Sequence, residues 1–351
     1  MKRIKRFPLL LLISFFCTYV SAQTTREKID SIFLNAHLQS TFCGRALVVK
    51  NDAVIYNGGY GYANEEWKVE HTYETKFKIG SCTKQFTAAL VMLLLEEDKI
   101  CLDSNICTYL PNYPKPNGHK ITIHHLLSHS SGIPDYFFLP EVQTLIYKEN
   151  KPSEYVKTFW DLPLEFEPGS SAKYSNSGYF ILGYIVEKIT GQPYSEVLQE
   201  KIFKPLKMNN TGVDNQHEIF SNKAFGYISV NQQLLVAPYL NSSGAYAAGA
   251  IYSSCEDLSK WCQSLLDETL LSPESISKMT SLHNARYGYG FGVLNLNING
   301  KSSKIFGHEG EIFGYRSLIH MIPGDNTYII ILDNHNNTKH FGMSKEILTL
   351  L

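Results

Sequence analysis

The sequence predicts an α+β fold: one antiparallel sheet built from both ends of the chain, a helical insertion between them, and a cleft along the seam. Three observations lead to it. Short strand-like runs joined by tight turns occur near the start and again near the end. A long apolar run of helical character follows the first group. No linker, internal repeat or low-complexity tract divides the 351 residues, a length that admits two packed units or one large composite.

Taken in order, the chain opens with a basic start (Lys2, Arg3, Lys5, Arg6), an apolar run from Leu9 to Phe16, and the small-residue exit Val20-Ser21-Ala22. This is the layout of a secretory signal peptide, too short to span a bilayer with ease. Residues 1–22 are therefore expected to be removed, leaving 23–351 as an exported, periplasmic or secreted domain without a transmembrane segment; retention as an N-terminal anchor stays open. Phe16 before Cys17 argues against a lipid anchor there.

The sheet part is expected at about 40–80 and 285–351, and the helical part at about 81–220. Ala46 to Lys50 and Ala53 to Tyr56 flank an Asn51-Asp52 turn and read as a hairpin. Near the end, Tyr287 to Asn295, Ser303 to Gly307, Arg316 to Ile322 and Thr327 to Leu332 read as successive strands, since connections this short join antiparallel neighbours. Between them, Phe86 to Leu95 is an apolar helix, and a later helix from Tyr179 to Ile189 is stopped by Gly191 and Pro193.

Composition narrows the function. Hydrophobic residues at 44% and charged residues at 19% describe a globular chain, neither disordered nor a coiled coil. Lys plus Arg number 32 against 33 for Asp plus Glu, a balance that argues against a nucleic-acid partner. Besides Cys17, six cysteines remain, and their spacings are not those of a zinc site. Cys101 with Cys107 is the pair to test for a disulfide; free, mostly buried thiols are the preferred expectation.

Chemistry concentrates at Gly80-Ser81-Cys82-Thr83-Lys84, where the apolar helix begins. Residues i and i+3 share a helix face, so Lys84 can reach the Ser81 hydroxyl. A buried lysine loses its proton readily and can activate a serine. Free N–H groups at the helix start can stabilise an oxyanion. Ser-x-x-Lys alone is weak, because Ser170–Lys173 and Ser275–Lys278 match it too. Only Ser81 stands behind a glycine and ahead of a helix apolar enough to be buried on most sides. Tyr174-Ser175-Asn176 lies in a loop able to face the cleft, although Tyr62 and Tyr239 also begin a Tyr-x-Asn. His308-Glu309-Gly310 falls on a strand, where alternation places His308 and Gly310 on one face and turns Glu309 and Glu311 away from the cleft. Gly310 is expected to let a substrate backbone come close. His125 and His129 have a zinc-like spacing but lack the H-E-x-x-H glutamate, and a hydrogen-bonded histidine at a helix end accounts for His129 as well.

Ser81-x-x-Lys84, Tyr174-x-Asn176 and His308-x-Gly310, in that order, resemble the serine β-lactamase and penicillin-binding-protein superfamily. The nearer match is the branch of class C β-lactamases, D-alanyl-D-alanine carboxypeptidases, D-aminopeptidases and related esterases. The resemblance runs from about Phe42 to Asp333. It includes Gly59-Tyr60-Gly61-Tyr62-Ala63-Asn64, Ile123 to Tyr136, Glu167-Pro168-Gly169 and Tyr287-Gly288-Tyr289-Gly290.

The resemblance implies a β-lactamase/transpeptidase-like fold and a role for each motif residue. Ser81 would be the acylated nucleophile, Lys84 its proton acceptor and Tyr174 a proton shuttle. Asn176 would hold the substrate amide, with His308 and Gly310 also on the substrate. The backbone N–H groups of Ser81 and Glu311 would form the oxyanion hole. His308 stands where many β-lactamases carry Lys, which weakens the case for an antibiotic-destroying enzyme. The resulting expectation is an exported serine hydrolase needing no metal and no cofactor. Its substrate would be a small molecule or peptide, D-alanyl peptides of cell-wall type being favoured. A class C-like β-lactamase, an esterase, and a penicillin-binding sensor that acylates without turnover are the alternatives. Glu309 and Glu311 hint at an ester or amine-terminated substrate, while Arg286 and Arg316 could supply positive charge.

Overall fold

A computed structural model describes residues 23–351 apart from 216 and 285; the expected signal segment, residues 1–22, lies outside the described residues. Six strands form the main sheet: β1 (Gly44–Lys50), β2 (Ala53–Tyr60), β3 (Gly292–Ile298), β4 (Lys301–Ile312), β5 (Tyr315–Ile322) and β6 (Thr327–Asp333). Their order is β3-β4-β5-β6-β1-β2, antiparallel throughout. The two chain ends meet where β1 pairs with β6, Gly44 opposite Asp333 and Leu47 opposite Ile330.

Turn chemistry sets these pairings. Asn51 and Asp52 both have positive φ, 49° and 63°, and so do Asn299 and Gly300, 51° and 84°. Two consecutive left-handed residues make the tight turn whose twist matches that of the flanking strands.

Helices cover both faces of the sheet. Helices α1 (Thr25–Leu38), α2 (Thr83–Glu96), α3 (Asn176–Thr190), α4 (Cys255–Leu266) and α5 (His340–Leu350) are the longer ones. On one face Ile29 and Phe33 of α1 and Ile347 and Leu348 of α5 pack on Val48, Ile329 and Ile331. The opposite face, with Leu47, Ile319, Ile330 and Leu332, joins the larger core containing Phe86, Leu90 and Trp261. Successive strand residues point to opposite faces, so β6, sandwiched between helical layers, is buried from Thr327 to Asp333. Its unbroken Ile329-Ile330-Ile331-Leu332 run is the sequence mark of that position. Helix α2 is apolar nearly all round and buried from Thr83 to Met92, so its first turn sits on a rigid support.

Two elements differ from their expected bounds. The strand expected at Tyr287 to Asn295 begins only at Gly292. Gly290, at φ 75°, breaks the extended run, and Gly288 N–H turns back to the Phe291 carbonyl at 2.9 Å. Helix α3 begins at Asn176, three residues before Tyr179, and ends at Gly191 with φ 70°. Cys101, Cys107 and the other four described thiols are free. Among the described residues no helix is long and apolar enough to cross a membrane.

Ile330 is fully buried at the centre of the sheet. Ile330→Ala should cost about 2–5 kcal/mol of stability, read as a lower urea midpoint with unchanged slope.

Candidate active site

The site begins with a close approach between two backbones. Gly80–Cys82 form a single turn of 3-10 helix leading into α2. Gly80 has φ 48°, and a Cβ there would stand 2.9 Å from the backbone N of Glu311 on β4. A Cβ on Gly310 would stand 2.0 Å from the Ile79 carbonyl oxygen and 2.4 Å from Ser317 Oγ. Gly310 therefore has a structural purpose beside the one expected. Its missing side chain admits the Ile79-Gly80 backbone of the turn that carries Ser81, while the residue also borders the hollow beside His308. Ser317 Oγ donates to Ile79 O at 2.7 Å, and Cys82 Sγ to His308 O at 3.1 Å, pinning the turn to β4 and β5.

Lys84 projects from the first turn of α2 and is fully buried. Its Nζ lies 3.0 Å from Ser81 Oγ, 2.8 Å from Asn176 Oδ1 and 2.8 Å from the Ala248 carbonyl. Burial lowers the Lys84 pKa to about 7, against a smaller upward pull from Asp135. The oxygens suit either protonation state. A neutral amine donates its two hydrogens to Asn176 and Ala248 and turns its lone pair to the Ser81 hydroxyl; an ammonium donates to all three. A proton can thus arrive at Nζ without any group having to move.

Tyr174 closes the other side, its OH donating to Ser81 Oγ at 2.8 Å. Burial holds this phenol well above its ordinary pKa, so it reaches Ser81 as a proton donor. The ring is backed by His129 at 4.6 Å between centroids, and His129 Nδ1 accepts from Ser175 N–H at 3.2 Å. His129 sits at φ 58°, just beyond the short helix Ile123–Leu127. The His125 ring instead turns back to the backbone N–H of Thr122, so the two histidines serve different neighbours.

Asn176 is committed at both ends of its amide. Oδ1 accepts from Lys84, and Nδ2 donates to Asp135 Oδ2 at 2.9 Å, which also takes the Asn176 backbone N–H at 3.2 Å. Asp135 and His129 are positioning residues: His129 is the hydrogen-bonded histidine at a helix end that its sequence position suggested, whereas no signal for Asp135 went beyond membership of the Ile123 to Tyr136 segment.

His308 lies on β4 with its ring centroid 5.9 Å from that of Tyr174. Its Nδ1 donates to the Glu309 carbonyl, while Nε2 is buried without a hydrogen-bond partner. Burial lowers its pKa to about 4, leaving a neutral imidazole. The decoy motifs are otherwise engaged. Ser170 Oγ donates to the Glu167 carbonyl at 2.6 Å and Lys173 pairs with Glu165 at 2.6 Å. Ser275 Oγ donates to Glu96 at 2.6 Å, and Lys278 pairs with Glu274.

Two hollows open from Ser81. One, of about 380 Å³, runs past Phe137, Phe138, Ile228 and Phe313 and is largely apolar. The other, of about 420 Å³, is bordered by Tyr287, His308, Glu309 and Lys339. Glu311 borders both, with its backbone N beside Gly80. Arg316 is bound to the Glu311 carboxylate at 2.7 Å and to the Thr338 carbonyl at 2.8 Å, so it is not a free cation for a substrate carboxylate.

With this geometry in place, comparison with known proteins fixes the class. The Beta-lactamase family profile matches residues 37–350, and the chain belongs to that family. A putative penicillin-binding protein PbpX of Bacillus subtilis is 30% identical, the match covering 94% of this chain and 82% of that one. The octameric penicillin-binding protein homologue of Pyrococcus abyssi superposes with a TM-score of 0.80 at 30% identity, over 92% of this chain and 76% of its own. A D-stereospecific amidohydrolase from Streptomyces sp. gives 0.79 at 26% identity, over 92% and 97%. The D-amino acid amidase of Ochrobactrum anthropi SV3 gives 0.79 at 25%, over 93% and 98%. These neighbours support a serine hydrolase in general.

If Lys84 is the base, acylation requires its neutral form, which gains population as pH rises through about 7. The second-order rate of Ser81 labelling by a fluorophosphonate should therefore climb from pH 5.5 to about 8 and then level. A flat profile over that range would exclude the lysine.

Proposed function

We propose that this chain is an exported serine hydrolase that cleaves an amide or ester through an acyl-enzyme on Ser81, with D-alanyl peptides of cell-wall type as favoured substrates. The observation that carries the reading is the meeting of Lys84 Nζ and Tyr174 OH on Ser81 Oγ, at 3.0 and 2.8 Å.

In the proposed reaction Ser81 Oγ attacks the carbonyl carbon and its proton passes to Lys84 Nζ. The backbone N–H groups of Ser81 and Glu311 hold the oxyanion, an assignment supported by the tight Gly80–Glu311 approach. Collapse breaks the bond to the leaving amine or alkoxide, which takes a proton from Tyr174, refilled from Lys84. Water then attacks the acyl carbon, gives its proton to the same pair, and Ser81 leaves protonated. Every step uses groups of the chain itself. Asn176, bound by both Lys84 and Asp135, would orient the amine, and the neutral His308 Nε2 would take a substrate N–H or O–H.

A second reading of the substrate rests on charge. Glu311 borders both hollows, whereas the cations Arg316 and Lys339 border only the second; the apolar hollow past Phe137 thus has an acid and no base at its edge, which favours a substrate carrying a free ammonium, such as a D-amino-acid amide, over one ending in a carboxylate. The D-amino acid amidase and D-stereospecific amidohydrolase names among the neighbours lend it support.

Intact mass after fluorophosphonate treatment tests the nucleophile. One adduct is expected, lost in Ser81→Ala and kept in Ser170→Ala and Ser275→Ala; labelling that survives Ser81→Ala overturns the assignment. Steady-state hydrolysis of a peptide ending in D-Ala-D-Ala and of D-alanine amide then separates the readings. Under the second, the amide is turned over faster and Glu311→Gln reduces that preference by about two- to fivefold, on the scale of one screened charge contact.

A further inference from the structure

Away from Ser81, four ligand-type side chains converge where the start of β1, the segment after Tyr62 and the turn after β6 meet. Cys43 Sγ, Glu65 Oε1 and His335 Nε2 lie within 4.8 Å of one another. His71 Nε2 lies 3.8 Å from the Cys43 sulfur, just outside this triad. Cys43 Sγ is 3.9 Å from Glu65 Oε1, and His335 Nε2 is 3.5 Å from the same oxygen. In a tetrahedral zinc centre with bonds of 2.0–2.3 Å, neighbouring ligand atoms stand about 3.3–3.6 Å apart. The Glu65–His335, Cys43–His71 and Cys43–Glu65 separations of 3.5, 3.8 and 3.9 Å are within a few tenths of an ångström of that, whereas the His71 ring, outside the 4.8 Å triad, has to turn inward to complete the tetrahedron.

Hydrogen bonding within the cluster is long and incomplete, Cys43 Sγ standing 3.9 Å from Glu65 Oε1 and 3.8 Å from His71 Nε2. His335 is 8% exposed, and its Nε2, although aimed at Glu65, has no hydrogen-bond partner. The Cys43 thiol has only the Tyr62 carbonyl at 3.5 Å as a backbone acceptor. A buried polar atom without a partner is costly, and such atoms are few in folded proteins. The surroundings are built to hold the ligands in place. Glu65 Oε2 is bound by Lys68 at 2.9 Å, which directs Oε1 inward. The Asn334 amide donates to the Tyr62 carbonyl at 3.0 Å and the Phe225 carbonyl at 2.9 Å, tying the turn after β6 to the segment that carries Glu65. A Cβ on Gly61 would lie 2.4 Å from Cys43 Sγ, so this glycine leaves room for the sulfur.

We propose that Cys43, Glu65, His71 and His335 form a structural zinc(II) site that clamps the start of β1 to the segment after Tyr62 and the turn after β6. One thiolate, one carboxylate and two neutral imidazoles balance the dication and match the borderline softness of zinc. Binding forms the Cys43 S–Zn bond and releases the thiol proton to solvent. Four protein ligands leave no open position, so the role is structural, and the site is independent of the chemistry at Ser81.

The test uses the mature full-length chain, stripped with chelator and titrated with zinc(II). Uptake of about one equivalent with a raised melting temperature is expected. Cobalt(II) in place of zinc should give tetrahedral visible bands and a near-ultraviolet thiolate-to-cobalt band. Cys43→Ser should abolish that band, and His335→Gln should weaken zinc binding more than about 100-fold, beyond an outer-shell effect. No uptake by the unaltered chain, or a thiolate band that survives Cys43→Ser, overturns the proposal. Circular dichroism checks that the variants fold. Should they not, alkylation of the unaltered chain decides, followed peptide by peptide with the exposed Cys101 as internal reference. Zinc must slow modification of Cys43 and leave Cys101 unchanged; equal Cys43 rates with and without zinc reject the site.

Discussion

The structure of the site depends on one constraint: an amine buried beside Ser81 with only neutral oxygens in direct contact. Helix α2 is wrapped by core on nearly every side, and Lys84 has no route to water. An ammonium there lacks the hydration that stabilises it elsewhere, and its pKa falls to about 7. The three contacts that remain, to Ser81, Asn176 and Ala248, suit the neutral amine as well as the charged one. A carboxylate in direct contact would have fixed the charge. Asp135, whose charge pulls the Lys84 pKa upward, acts instead through Asn176, orienting the amine without gripping its proton.

Around that amine the other groups fall into two kinds. Some bring reacting atoms together: the Gly80 and Gly310 pair presses the serine turn onto β4, and Tyr174 reaches Ser81 from the opposite side. Others hold these in place. His129, with its left-handed backbone, fills the space behind Tyr174 and binds the chain at Ser175, while Asp135 fastens the first residue of α3. A site assembled from α2, the start of α3 and β4 gains its precision from elements that are themselves buried, as nucleophile and base geometry require.

Much of this was legible before any coordinates. Among three Ser-x-x-Lys motifs the one that the structure places beside Tyr174 was the one preceding a helix apolar enough to be buried on most sides, and that burial is what lowers the Lys84 pKa. The joining of the two chain ends in one sheet was readable from strand runs and Asn-containing turns. What escaped was contact-dependent. The early end of the Tyr287 run follows from Gly290 adopting a positive φ, a choice made by its packing against the backbone of Lys84 and Gln85. No local pattern reveals that Ile79 will lie across Gly310, or that Glu311 will stand between two hollows. The Cys43, Glu65, His71 and His335 cluster spans nearly the whole chain and has no motif spacing at all.

The central claim is that Lys84 is neutral near physiological pH. Its direct measure is a pH titration of the protein labelled with 13C at the lysine ε-carbons, the Lys84 signal being identified by its loss in Lys84→Met. The account predicts one lysine titrating near 7, well apart from others near the ordinary value of about 10.4. A Lys84 signal that stays in its ammonium form past pH 9 would contradict it and remove Lys84 from the role of base.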